Sequence, residues 1–109
     1  MDLEQYQTEA RKTAIYPDLG HNYWYPGLGL CGETGEVAEN IKKIYRDDGG
    51  IMTGEREAKL VKELGDALWY LSNLASEMNI SLSYIAIENL RKLRDRADRG
   101  KLHGSGDTR

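Results

Sequence analysis

The chain has 109 residues, 39% of them hydrophobic with no Phe, and a formal net charge of -3, which is enough for one hydrophobic core and too little for two. Mild acidity argues against duplex DNA as a partner, because neutralising phosphates takes a basic surface, and no apolar run approaches the roughly 20 residues that span a bilayer. The single cysteine, Cys31, excludes an intramolecular disulfide and leaves no thiolate zinc set, so a reducing, cytoplasmic setting with no nucleic-acid or membrane partner is expected.

The first segment, Leu3 to Tyr16, carries Leu3, Tyr6, Ala10, Thr13 and Ala14 at helical spacing and stops before Pro17. From Pro17 to Gly27, breakers alternate with His21, Tyr23, Trp24 and Tyr25, which reads as an ordered loop whose rings are available to a ligand. A second helix is expected from Leu28 to Arg46, with Leu30, Val37, Ile41, Ile44 and Tyr45 on one face, ending at Asp47-Asp48-Gly49-Gly50. Thr53 caps a third helix, favoured by Glu55 and Glu57 in its first turn and running to Met78 on the stripe Leu60, Leu64, Ala67, Leu68, Leu71, Ala75 and Met78. Ser81 caps a fourth, with Leu82, Ile85, Ala86, Asn89, Leu90 and Leu93 on one face, to Arg99. The remaining residues, 101–109, form a polar, glycine-containing tail.

No segment alternates with the strand period, so the expected fold is all-α, a single four-helix bundle-like domain over residues 1–109. A domain this small buries a modest share of its surface, and an obligate homo-oligomer, dimer or tetramer, is expected to supply the rest. The first residues lack the basic start and apolar run of an export signal.

The second and third helices each carry two acids three residues apart, Glu33 with Glu36 and Glu63 with Asp66. That spacing puts each pair on one face. At about 100° per residue, both pairs lie roughly 60° and 120° to the same side of their apolar stripes, so helices packed through those stripes would bring the acids to one margin. Four neighbouring carboxylates repel unless a cation neutralises them, and an oxygen-only set suits Mg²⁺, or Mn²⁺ in its place, better than zinc. Gly35 and Gly65, one inside each pair, cost about 1 kcal/mol each against Ala in a helix interior, which points to close packing or ligand approach. A di-iron bundle would want Glu-x-x-His on two helices, whereas His21 and His103 fall outside the expected helix interiors. The bland alternative is that all four acids are merely solvated.

These residues resemble the MazG-like branch of the all-α nucleoside triphosphate pyrophosphohydrolases. The resemblance rests on Gly32-Glu33-Thr34-Gly35-Glu36-Val37-Ala38-Glu39, on Lys62-Glu63-Leu64-Gly65-Asp66-Ala67-Leu68-Trp69-Tyr70-Leu71, on Asn89-Leu90-Arg91-Lys92-Leu93, and on the ending Gly104-Ser105-Gly106-Asp107-x-Arg109 found in short, often phage or bacterial, members. It implies hydrolysis of a nucleotide between the α- and β-phosphates, with Mg²⁺ held by Glu33, Glu36, Glu63 and Asp66. Glu39 ranks behind these as an outer or second-metal ligand. Asn89, Lys92 and Arg96 share one face of the fourth helix and, with Lys43 and Lys42, are the candidates for phosphate. Asn22, Tyr23 and Trp24, with Tyr25 and His21 beside them, are the candidates for the base, and Ser105, Asp107 and Arg109 are tail candidates on the phosphate side or between subunits. The competing reading is a non-catalytic helical module that binds a nucleotide or a protein.

Overall fold

The chain begins with a reciprocal cap: the Gln5 N–H donates to Asp2 Oδ1 and the Asp2 N–H to Gln5 Oε1, each at 2.8 Å. In the computed structural model, which describes residues 1–100 and 103–108, this cap opens α1, Leu3–Lys12. The helix stops short of the expected Tyr16. Thr13 closes it, donating from Oγ1 to the Ala10 carbonyl at 2.7 Å, and Pro17 pushes the residue before it out of helical conformation. The following segment turns through left-handed backbone at Asp18 (φ 56°) and Gly20 (φ 92°).

The second helix, α2 at Trp24–Asp47, starts four residues earlier than Leu28 and takes in two supposed breakers. Pro26 falls in its first turn, where N–H groups have no intrahelical acceptor and a proline therefore loses nothing, and Gly27 makes the first bond of the helix, from its N–H to the Tyr23 carbonyl at 3.1 Å. Gly49 and Gly50, at φ 62° and 80°, reverse the chain after it. Thr53 and Ser81 cap as expected, accepting from the N–H groups of Arg56 at 3.2 Å and Tyr84 at 3.0 Å. They open α3, Gly54–Glu77, and α4, Leu82–Asp98. Among the described residues there is no strand.

Helices α2 and α3 form an antiparallel hairpin, α1 packs on α3, and α4 on α1. Pro26, Leu30, Glu33, Val37, Asn40 and Ile44 are buried or half-buried along α2, as are Arg56, Leu60, Glu63, Ala67, Tyr70, Leu74 and Glu77 along α3. Steps of three and four make this a helix–helix seam. It is rotated toward the acids relative to the expected stripes, so Ile41 (53% exposed), Tyr45 (82%), Leu64 and Met78 lie outside it. The buried apolar side chains of the core are few, and three of them are alanines: Ala10, Ala14 and Ala75, with Tyr16, Ile44, Leu60 and Leu82. The radius of gyration, 16.7 Å, exceeds the roughly 13 Å of a compact domain of about 100 residues.

Candidate active site

One helical register sets the geometry of the acids. The Tyr70 ring of α3 lies against Gly29 of α2, where a Cβ would come within 2.2 Å of the ring, and farther along the same seam Asn40 of α2 meets Glu63 of α3 at 3.3 Å. Glu33 and Glu36 fall between these two contacts on α2; on α3 Glu63 makes the second contact and Asp66 falls between it and Tyr70. Burial and then the charges of Asp66, Glu36 and Glu63 push the Glu33 carboxyl above its ordinary range. The two pairs therefore share one electrostatic field. Tyr70 is raised by burial first, then by Tyr25 and by the charges of Glu33 and Asp66, and Tyr6 of α1 by burial and then Asp66.

Among the described residues no three acidic, histidine or cysteine side chains are already gathered at metal-ligating distance. The charges of Asp66, Glu36 and Glu63 act on Glu33, so the four side chains are near enough to repel. Their chemistry, oxygen donors with excess negative charge at the margin of a seam, fits a hard divalent cation. Glu39, ranked behind these four, pairs with Lys42 at 3.0 Å, and that hydrogen bond first, then the Lys42 charge, lowers its pKa. Gly35 and Gly65 have nothing within 4 Å of where a Cβ would stand. Close helix packing inside the protomer does not account for them.

The structure joins the phosphate candidates of α4 to the tail. Lys92 Nζ lies 3.1 Å from Asp107 Oδ1, and Arg96, only 4% exposed, donates from one terminal nitrogen to the Asp107 carbonyl at 2.7 Å and the Gly106 carbonyl at 3.3 Å. Hydrogen bonding and charge from Lys92, then Arg96, lower the Asp107 pKa. Arg96 is thus a buried anchor and not a solvated surface charge. Asn89 lines an apolar groove with Leu3, Leu68, Leu71, Leu82 and Ile85. Lys43 is half-buried and Ser105 exposed, while Arg109 lies outside the described residues.

Of the base candidates, Asn22 has both ends of its amide committed: Nδ2 donates to the Pro17 carbonyl at 2.8 Å and Oδ1 accepts from the Tyr25 N–H at 3.1 Å. It shapes the entry to α2. Tyr23 and Trp24 stack on each other, centroids 5.0 Å apart, and stay exposed. Tyr25 stacks on Tyr16 at 4.8 Å and touches Tyr70 at 6.3 Å; Trp69 meets both Tyr16 and Tyr70 edge-on. His21 is exposed.

Comparison with known proteins decides the kinship. The MazG nucleotide pyrophosphohydrolase domain matches residues 27–100, more than half of the chain. The chain belongs to the MazG family. It is also 44% identical over 114 residues to "Gene 37 protein" of Mycobacterium phage L5, covering 100% of both chains. No solved structure matches. The matched MazG segment holds both acid pairs and the Asn89, Lys92 and Arg96 face, and leaves out α1, most of the aromatic segment and the tail.

Two residues central to this arrangement were missed. Glu77, whose side chain is 0% exposed, accepts from Arg11 at 2.7 Å, the Tyr16 hydroxyl at 2.6 Å and the backbone N–H groups of Gly20 at 3.0 Å and Asn22 at 2.7 Å. Burial alone would raise its pKa, but the bonds from Tyr16, Asn22, Arg11 and Gly20 outweigh that and hold it at about 2. The other is Asn40. The signal for both was positional: each is a polar residue in register with an apolar or aromatic run, Val37 to Ile44 and Tyr70 to Leu74.

Proposed function

We propose that this chain hydrolyses nucleoside triphosphates, ribo or deoxy, between the α- and β-phosphates, releasing a nucleoside monophosphate and pyrophosphate. The observation that carries the reading is the placement of both acid pairs, Glu33 with Glu36 and Glu63 with Asp66, along the one α2–α3 hairpin that matches the MazG domain. Mg²⁺ would be held by those four side chains, where it would neutralise the triphosphate and acidify the attacking water. The carboxylates of α2 take the proton of that water, Glu33 or Glu36 serving as base. Lys92 and Arg96 offer to phosphate oxygens the same donors that Asp107 engages. Tyr23 and Trp24 keep exposed ring faces for a base, with Asn22 supporting them.

The test is incubation with each NTP and dNTP in the presence of Mg²⁺, with products resolved. Monophosphate and pyrophosphate in equal amounts are expected, and a chelator should stop the reaction. Diphosphate with inorganic phosphate would mean another bond is cut. Nucleotide binding without turnover under any divalent metal would favour the non-catalytic module.

We also infer that the working form is a homo-oligomer. The accessible surface of 7780 Å² exceeds the roughly 6,100 Å² that size scaling gives for a compact monomer of this mass, and Ile41, Tyr45, Leu64, Ile87 and Leu90 stay exposed. Light scattering after size exclusion should give two or four times the protomer mass of 12.3 kDa. A single 12.3 kDa species at micromolar concentration would contradict it.

A further inference from the structure

Asn40 is 2% exposed and occupies a seam position between Val37 and Ile44. An apolar residue there would gain free energy from burial without needing any partner, so an amide needs another reason to be present. Its surroundings provide one. The side-chain NH₂ donates to Glu63 Oε2 at 3.3 Å, and the amide oxygen accepts from Arg56 at 3.4 Å. The orientation follows from chemistry, since a guanidinium has only donors and a carboxylate only acceptors. Arg56 is fixed in turn: its Nε donates to Asp48 Oδ2 at 2.8 Å, and its guanidinium lies 3.9 Å from Asp47.

The chain of contacts therefore runs from the α2–α3 turn through Arg56 and Asn40 to one oxygen of Glu63. We propose that Asn40 is a positioning residue for the cation site: it holds Glu63 Oε2 so that Oε1 is presented to the ion, and Arg56 acts by holding Asn40. The proposal rests on the reading of the four acids as a metal site. Fixing one carboxylate oxygen by an outer donor removes rotamer freedom from the ligand before the ion arrives, and such outer contacts are worth roughly 10–100-fold in metal affinity.

The experiment is calorimetric titration of the full chain with Mn²⁺ alone, without nucleotide, alongside the melting temperature of the metal-free protein. Asn40→Leu fills the seam without a donor and is expected to raise the Mn²⁺ Kd about tenfold or more. Arg56→Met leaves Asn40 in place and should raise it by a smaller factor. The double variant should be no weaker than Asn40→Leu alone, because Arg56 has no separate route to the ion. In turnover assays the loss should appear as a higher Mg²⁺ half-saturation with kcat recovered at saturating Mg²⁺.

An unchanged Kd in folded Asn40→Leu, or additive losses in the double variant, would overturn the proposal. A fall in melting temperature alone would show a purely structural role and overturn it too. If Asn40→Leu fails to fold, an unchanged Kd in Arg56→Met is decisive against the relay. A parent chain that does not bind Mn²⁺ defeats the reading of the acids as well, whereas a parent that binds it normally confines any failure to Asn40.

Discussion

Glu63→Gln lowers kcat/KM by more than about 100-fold, on the expectation that a direct ligand matters more than the outer contacts worth roughly 10–100-fold, and Glu36→Gln does the same. The substitution keeps the shape of the side chain and its contact with Asn40 while removing the charge that draws the cation. The loss should persist at high nucleotide and be only partly relieved by added Mg²⁺. Pyrophosphate release measured across a Mg²⁺ series distinguishes these effects, and near-parental turnover in either variant would remove the acid pairs from the mechanism.

The same variants should not harm the metal-free fold. Because Glu33 has its pKa raised in the folded chain, by burial first and then by Asp66, Glu36 and Glu63, its ionised form opposes folding at neutral pH, and that opposition fades as the pH falls through the carboxylate range. Glu63→Gln removes one of the repelling charges. The metal-free melting temperature of that variant should equal or exceed the parental value at pH 7, with the difference shrinking in acid.

The second large effect is on stability and lies at Glu77. Glu77→Ala strands Arg11, the Tyr16 hydroxyl and two backbone N–H groups that now converge on one carboxylate. Removing one partner of a buried ion pair costs about 3–5 kcal/mol, which in a domain of this size is a fall in Tm of at least roughly 10 °C. Its pH dependence has the opposite sign to that of Glu33. The folded chain holds Glu77 at about 2 against an ordinary value of 4.5, so its contribution is complete above the ordinary range and lost as pH falls through about 2. Melting curves of the parent and Glu77→Gln should run parallel near neutrality and converge in acid; a gap independent of pH would mean that the charge is not what matters.

The helix caps were legible because Thr53 and Ser81 act locally, through their own side chains. The acid pairs were legible for a related reason: a spacing of three is a property of one helix. The start of α2 was not, because a proline and a glycine mark a break or a first turn according to what precedes them. Here Asn22, itself held by Glu77, settles the choice by accepting from the Tyr25 N–H. Periodicity found the apolar faces of α2 and α3 but not how much of each is covered within one protomer, so Ile41 and Tyr45 were placed in a seam that Glu33 and Asn40 occupy. Gly29 was passed over in favour of Gly35 and Gly65, since only the tertiary structure shows which glycine faces a ring.

Considered as chain topology, Glu77 acts as a non-covalent staple. Its four donors lie 66, 61, 57 and 55 residues away along the sequence, so a single carboxylate closes four nested loops. Once the first is closed, each of the others needs little further loop entropy, because that cost grows only slowly with length. The hairpin of α2 and α3 is joined by a local turn, whereas the segment from α1 to the entry of α2 is tied to α3 by this side chain, by the rings around Tyr16, and by the bonds of Gln7 to Ser76, Arg11 to Asn73 and Trp69 to Thr13. In a chain whose lone cysteine cannot form an internal cross-link, a buried carboxylate does for the N-terminal segment what a disulfide does in a small secreted domain, and its four ties are lost together.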